Sequence, residues 1–182
     1  MALTKKLAAA AATLLASTFL LTAAEGEKKP DGPKKAVCVL TATKKSDGHV
    51  QGKVTFTQTD AGVEISGEIT GLAPGKHGFH IHEFGDMSSD DGMATGAHFN
   101  PDGHKHGGPH DTDRHAGDFG NIEAGADGKA TIKMTDKAIS LSGPNTILGR
   151  ALIVHAKEDD LKTQPSGNAG DRIGQGVIGA AK

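Results

Sequence analysis

The chain has 182 residues, with 26 Gly, 10 His, 1 Cys and neither Trp nor Tyr, and its formal net charge is −2. That length holds one domain with a core of its own, while a single thiol excludes an internal disulfide and any zinc site built on several cysteines, leaving His and carboxylates as the ligand set for a metal. An acidic balance and aromatics at 3% argue against binding nucleic acid through phosphates or stacked bases.

Residues 1–24 have the pattern of an export signal: Lys5 and Lys6, an uncharged Leu/Ala-rich run from Leu7, then small residues at Thr22 and Ala24. Cleavage is expected after Ala24, which places the mature chain in a periplasm or outside the cell with no stable membrane insertion. Its charge is then −4, since 18 basic and 22 acidic residues follow. Residues 25–35, EGEKKPDGPKK, carry charges and two prolines and read as a flexible arm. The folded domain is expected over 36–182.

From Ala36 onward the apolar period is two. Val50, Val54 and Phe56 alternate with polar residues, as do Val63, Ile65 and Ile69, and Ile132 and Met134 flank Lys133. Turn signals at Ser46-Asp47-Gly48, Asp60-Ala61-Gly62, Ala73-Pro74-Gly75 and Ala126-Asp127-Gly128 separate these runs. The pattern predicts eight strands, roughly at 36–44, 50–58, 62–70, 76–84, 118–123, 129–134, 149–156 and 173–180, in an antiparallel sandwich or barrel. Two long segments, Gly85 to Gly117 and Ala156 to Asp171, lack apolar periodicity. Loops of that length in a compact domain are usually functional or disordered, and the first is rich in His, Asp and Gly, so a bound ion is a candidate for the energy that organises it.

His80 and His82 stand two apart on the fourth strand, so both rings leave one face while Phe79 and Ile81 point to the core. Alone that spacing is weak evidence, because paired strand histidines are commonly surface residues. Further along come His98, His106, His115, Asp118 and His155. Six imidazoles and one carboxylate suit two four-coordinate metals if one imidazole bridges them.

The chain resembles the copper/zinc superoxide dismutases. The resemblance rests on Gly78-Phe79-His80-Ile81-His82-Glu83-Phe84-Gly85-Asp86, on Gly96-Ala97-His98-Phe99-Asn100-Pro101 and on His106-Gly107-Gly108-Pro109. It continues through Arg114-His115-Ala116-Gly117-Asp118-Phe119-Gly120-Asn121 and Gly167-Asn168-Ala169-Gly170-Asp171-Arg172. It implies an eight-stranded Greek-key barrel and a dismutation in which copper is alternately reduced and reoxidised by superoxide while zinc stays redox-silent. The family pattern makes His80, His82, His98 and His155 copper ligands and His98, His106, His115 and Asp118 zinc ligands, with His98 shared. It puts Asp159 between the free nitrogens of His80 and His106, makes Arg172 the residue that attracts and orients the anion, and has His98 carry a proton to the product. His77 takes a structural position bonded to backbone, and His49, His104 and His110 match no ligand position. Met87 and Met93 lie in the loop after the dihistidine strand, where a soft copper-loading role competes with no role at all. The motifs look like the eukaryotic-type branch, for which a homodimer is expected. Two other readings use the same fold: a non-catalytic copper-delivery domain and a zinc-only structural domain.

One departure from the family stands out. The family staples the loop after the dihistidine strand to the last strand with a disulfide; here that loop, Met87 to Thr95, has no Cys and the last-strand position is Gln175. The only cysteine, Cys38, reads as a core thiol. Zinc binding is expected to hold the loop instead. The segment from Asp160 to Asp171 is short, with Lys162 its only cation before Arg172.

Overall fold

The computed structural model describes residues 32–182. The expected signal and most of the expected arm lie outside these residues. Eight strands follow in chain order: β1 Lys35–Ala42, β2 Gln51–Thr59, β3 Gly62–Thr70, β4 Gly75–His82, β5 Asp118–Ala124, β6 Ala130–Asp136, β7 Ala151–His155 and β8 Arg172–Ala181. All adjacent pairs are antiparallel, in the order β5-β4-β7-β8-β1-β2-β3-β6. The end strands β5 and β6 approach each other, so the sheet curls into a nearly closed Greek-key barrel, as the two-residue periodicity and the resemblance led one to expect. Among the described residues no helix is long and apolar enough to cross a membrane. The last residues before the barrel are attached to it, since the Lys34 carbonyl accepts from Gln58 N–H at 2.8 Å.

The alternation read from the sequence becomes the inside of the barrel. Val54 and Phe56 of β2, Val63 and Ile65 of β3, and Phe79 and Ile81 of β4 are all buried in one core with Cys38, Leu40, Leu152 and Ile178. Burying a side chain of this size stabilises by about 1.5–3 kcal/mol. No element is expected from the sequence over residues 137–148, between β6 and β7. In the fold this connection lays Ile139, Leu141 and Ile147 onto the core, all buried. Their spacing follows no strand or helix period because irregular backbone, held by pairing of Ser140 with Thr146, sets their direction.

Strand β4 is buried on both faces from His77 to His82. Phe79 and Ile81 face the barrel, and His80 and His82 face outward beneath the long segment 85–117, which folds back across them. That segment is stitched to the strand by backbone bonds: Phe99 N–H donates to Ile81 O at 2.8 Å, Ile81 N–H to Gly117 O at 2.9 Å and Glu83 N–H to Ala97 O at 2.8 Å. His98 thereby stands beside His82 as an isolated bridge.

Candidate metal centre

Two groups of buried side chains converge outside the barrel wall. His80, His82, His98 and His155 place one ring nitrogen each within 4.8 Å of the others, and His98, His106, His115 and Asp118 do the same with one ligand atom each. His98 belongs to both. All six histidines and the aspartate expected from the sequence are brought together, and the rings of His80 and His98 have centroids 4.0 Å apart with planes tilted by 31°.

The hydrogen bonds assign a role to each nitrogen. His80 Nε2 donates to Asp159 Oδ2 at 2.7 Å, His82 Nδ1 to Gly96 O at 3.0 Å and His155 Nδ1 to Gly170 O at 3.0 Å. A neutral imidazole that donates from one nitrogen presents a lone pair on the other. Those other atoms, His80 Nδ1, His82 Nε2 and His155 Nε2, are buried without any hydrogen-bond partner, as is His98 Nε2. Unsatisfied buried nitrogens cost about 1–3 kcal/mol each, so four of them facing one another fit a group that accepts lone pairs. Four imidazoles suit copper.

The second group is built around a carboxylate. Nδ1 of His98, His106 and His115 lie 2.8, 3.1 and 3.2 Å from the Asp118 oxygens. The backbone N–H groups of Gly107 and His115 donate to Asp118 Oδ2 at 3.1 and 3.0 Å. Three imidazoles and one carboxylate fit a closed tetrahedral zinc shell. Burial opposes charge on Asp118, but the surrounding imidazoles outweigh it and hold the carboxyl well below its usual range.

Asp159 joins the two groups, as expected. Its Oδ2 accepts from His80 and its Oδ1 from His106 Nε2 at 2.9 Å. The carboxylate is itself fixed, since Leu161 N–H donates to Oδ1 at 2.7 Å and the Asn121 side chain bonds both the N–H and the C=O of Asp159, at 2.8 and 2.9 Å. Such partners set ring orientation and tautomer of the ligating histidines. Burial pushes the His98 imidazole down to about 4 and that of His155 to about 3. For His106 burial acts in the same direction but the Asp118 and Asp159 carboxylates win, and its pKa rises to about 9.

A cleft of about 800 Å³ opens over His82, His98 and His155, with Arg172 in its wall. The guanidinium is held by three acceptors: Nη1 donates to Gly92 O at 2.7 Å and Thr95 Oγ1 at 3.0 Å, and Nη2 to Gly96 O at 2.7 Å. Lys45 and Arg150 also line the cleft, and Lys162 does not. Lys45 comes from the turn between β1 and β2, and sequence reasoning missed it because no local pattern places that turn beside β8. Gln164 was missed for the same reason: its amide accepts from His106 N–H and donates to His106 O, both at 2.9 Å, joining the segment after β7 to the zinc-side loop.

The other histidines are outside the two groups. His77 places its ring nitrogens 2.8 Å from the carbonyl oxygens of His155 and Ala73, the structural position expected for it. His49, His104 and His110 are exposed. Met87 is half-buried, and Met93, exposed, lines the cleft. In the loop after β4 the residue facing Gln175 is Gly92, whose Cβ position lies 3.3 Å from Gln175 Oε1.

An eight-stranded barrel with two buried ligand groups sharing one imidazole is the architecture of a protein built to hold two metal ions side by side. Residues 50–178 match the copper/zinc superoxide dismutase family, and the chain belongs to it. It is accordingly a superoxide dismutase that uses copper and zinc. A solved structure described as the clock protein EA4 is similar at 43% sequence identity and a TM-score of 0.76, over 82% of this chain and 96% of that one.

Proposed function

We propose that the chain is an exported dismutase in which His80, His82, His98 and His155 hold copper, His98, His106, His115 and Asp118 hold zinc, and Arg172 guides superoxide. The observation that carries this reading is the set of four partnerless nitrogens beneath the Arg172 cleft. Copper held there supplies a one-electron couple that takes an electron from one superoxide and returns it to another, and zinc holds its ligands without changing oxidation state.

The chain's own residues do the rest. Arg172 supplies local positive charge in a protein that is acidic overall, so attraction of an anion is focused at the cleft and not spread over the surface. Its three acceptors fix the guanidinium, which orients a small diatomic anion toward His98 and His155. His98 Nε2 is the shared ring's atom on the cleft side, and it is placed to hold the proton that the reduced product takes up. Asp159 keeps His80 and His106 aligned. The filled ligand set and the arginine favour an enzyme over a copper-delivery or zinc-only domain.

Export rests on the sequence of residues 1–24 and places the mature protein in a periplasm or outside the cell, as an antioxidant defence. A homodimer is supported by exposed apolar side chains on one region of the barrel. Val39 of β1 and Val177 of β8 are 62% and 40% exposed, and Phe84, 51% exposed, adjoins Gly85, which abuts Val177.

Metal analysis of the mature protein paired with a superoxide-decay assay tests the reading. One copper and one zinc per chain with rapid decay is expected, together with loss of activity in His155→Ala. Full metal content without dismutation, or activity surviving His155→Ala, would overturn it. Mass spectrometry of the secreted chain beginning at Glu25, and sedimentation at twice the chain mass, are the expected results for export and dimerisation.

A further inference from the structure

The Arg172 guanidinium is gripped by one short stretch of chain, through two carbonyls, Gly92 O and Gly96 O, and one hydroxyl, Thr95 Oγ1. Wherever that stretch moves, the cation moves with it. The chain has one cysteine, Cys38, buried in β1, so no covalent link ties the stretch to the barrel.

Hydrogen bonds do so instead, from two directions. The turn after β1 reaches the loop through Lys44, whose N–H donates to Asp90 O at 2.7 Å and whose Nζ meets Asp90 Oδ1 at 2.9 Å. The same turn is pinned to the start of β8: Thr43 Oγ1 donates to Arg172 O at 2.5 Å and Thr43 N–H to Ile173 O at 3.1 Å. From β8 itself, Gln175 Nε2 donates to Ser89 O at 3.4 Å. Arg172 is thus held at its side chain by the loop and at its backbone by the turn that anchors the loop.

The partners differ in burial, which decides which of them matter. Lys44 and Asp90 have side chains 52% and 77% exposed, and an exposed ion pair contributes little. Thr43 and Gln175 are buried, at 4% and 8% exposure. Packing alone does not account for Gln175. Its Oε1 is buried without a partner, a cost that a leucine of similar size would avoid. What the amide offers that leucine lacks is the donor to Ser89. Opposite it stands Gly92, with φ +77° and a Cβ position already 3.3 Å from Arg172 Cβ, Arg172 Cδ and Gln175 Oε1, so the loop lies directly on both side chains.

We propose that Thr43 and Gln175 are positioning residues for Arg172: Gln175 holds the loop whose oxygens aim the guanidinium into the cleft, and Thr43 fixes the Arg172 backbone to the turn that reaches the same loop through Lys44. This rests on the reading of Arg172 as the anion-guiding residue.

The test uses the metal-loaded mature protein with Thr43→Val, Thr43→Ser, Gln175→Leu and Arg172→Ala. Azide affinity is read from the copper visible absorption, amide hydrogen exchange from Gly92 to Gly96, and copper and zinc content from metal analysis. Loss of either hydrogen bond is expected to weaken azide binding about fivefold and to speed exchange of the Gly92–Gly96 amides by a similar factor. Metal content and exchange in β2 and β3 should stay unchanged in Thr43→Val and Gln175→Leu, and Thr43→Ser should restore both readouts. Azide affinity and exchange within twofold of the parent in both variants would overturn the proposal. If Thr43→Val does not accumulate, Gln175→Leu decides alone. If Arg172→Ala leaves azide binding intact, the guiding role fails, while the exchange rates still report whether Thr43 and Gln175 hold the loop.

Discussion

Gly167 lies directly on Asp159: a Cβ built on Gly167 would fall 1.8 Å from Asp159 Oδ1 and 2.6 Å from His106 Nε2. Its φ of +68° adds a conformation that side-chain-bearing residues rarely adopt. Gly167→Ala is therefore expected to push the carboxylate off His106, lowering zinc affinity about tenfold or more, the range typical for loss of a partner behind a metal ligand. Competition with a chromophoric chelator measures it, and an unchanged affinity would show that the loop yields without moving Asp159.

Asp159→Asn tests the same link from the other side. The amide retains one acceptor for either His80 or His106 and offers an N–H₂ to the other, which already donates there. One of the two rings must turn, so about a tenfold to hundredfold loss of affinity is expected at one metal group more than at the other. Separate copper and zinc titrations identify which.

Arg172→Ala is expected to lower kcat/KM for superoxide about tenfold or more, because the local field at the cleft is lost while the metal ligands stay in place. The rate should also become less sensitive to ionic strength. Lys45→Ala should give a smaller decrease, since Lys45 is partly offset by Asp171 at 3.8 Å. Stopped-flow rates across a salt series check both, and equal effects of the two substitutions would count against the assignment of Arg172.

The metal-free protein should be most stable between about pH 6 and 7. His98 and His155, held down to about 4 and about 3 by burial, stay neutral in the fold while the unfolded chain takes up protons below about pH 6.5. Stability then falls with pH by up to roughly 1.4 kcal/mol per unit for each group. His106 acts oppositely. Its raised pKa of about 9 gives stability that is fully present below about pH 6.5 and lost as pH rises through 9. Urea midpoints across pH 4–9 measure this, and a midpoint that climbed as pH fell from 6.5 to 4 would contradict it.

Metal removal should act unevenly. The carboxylate and imidazoles of the zinc group draw residues 106–118 together, so hydrogen exchange there should rise sharply in the apo protein. The loop from Ser89 to Gly92 contacts β8 and the β1–β2 turn and no zinc ligand group, and its protection should change far less. Equal loss in both segments would show that zinc holds the loop, as the sequence led one to expect.

The strands were legible because alternation is a local property: β2 and β3 can be read residue by residue from Val54, Phe56, Val63 and Ile65. The seven side chains of the two groups were legible because motifs around His80, His98, His106 and His115 keep the family order, and His155 ends an apolar strand. What could not be read arises where distant irregular segments meet. Gln164 finds His106 at a separation of 58 residues, and Thr43 finds Arg172 at 129. Neither has a periodic neighbour to announce it. Ile139, Leu141 and Ile147 were passed over because apolar residues on irregular backbone carry no period.

Burial has a consequence for Cys38 as well. It raises the thiol's pKa to about 12, so the reactive thiolate is essentially unpopulated near neutral pH. With no second thiol in the chain to join, folding forms no internal disulfide and so consumes no electron acceptor. Dithiothreitol should leave the folding rate and stability of the metal-free chain unchanged, so that folding of this chain is indifferent to which side of a membrane, reducing or oxidising, it takes place on.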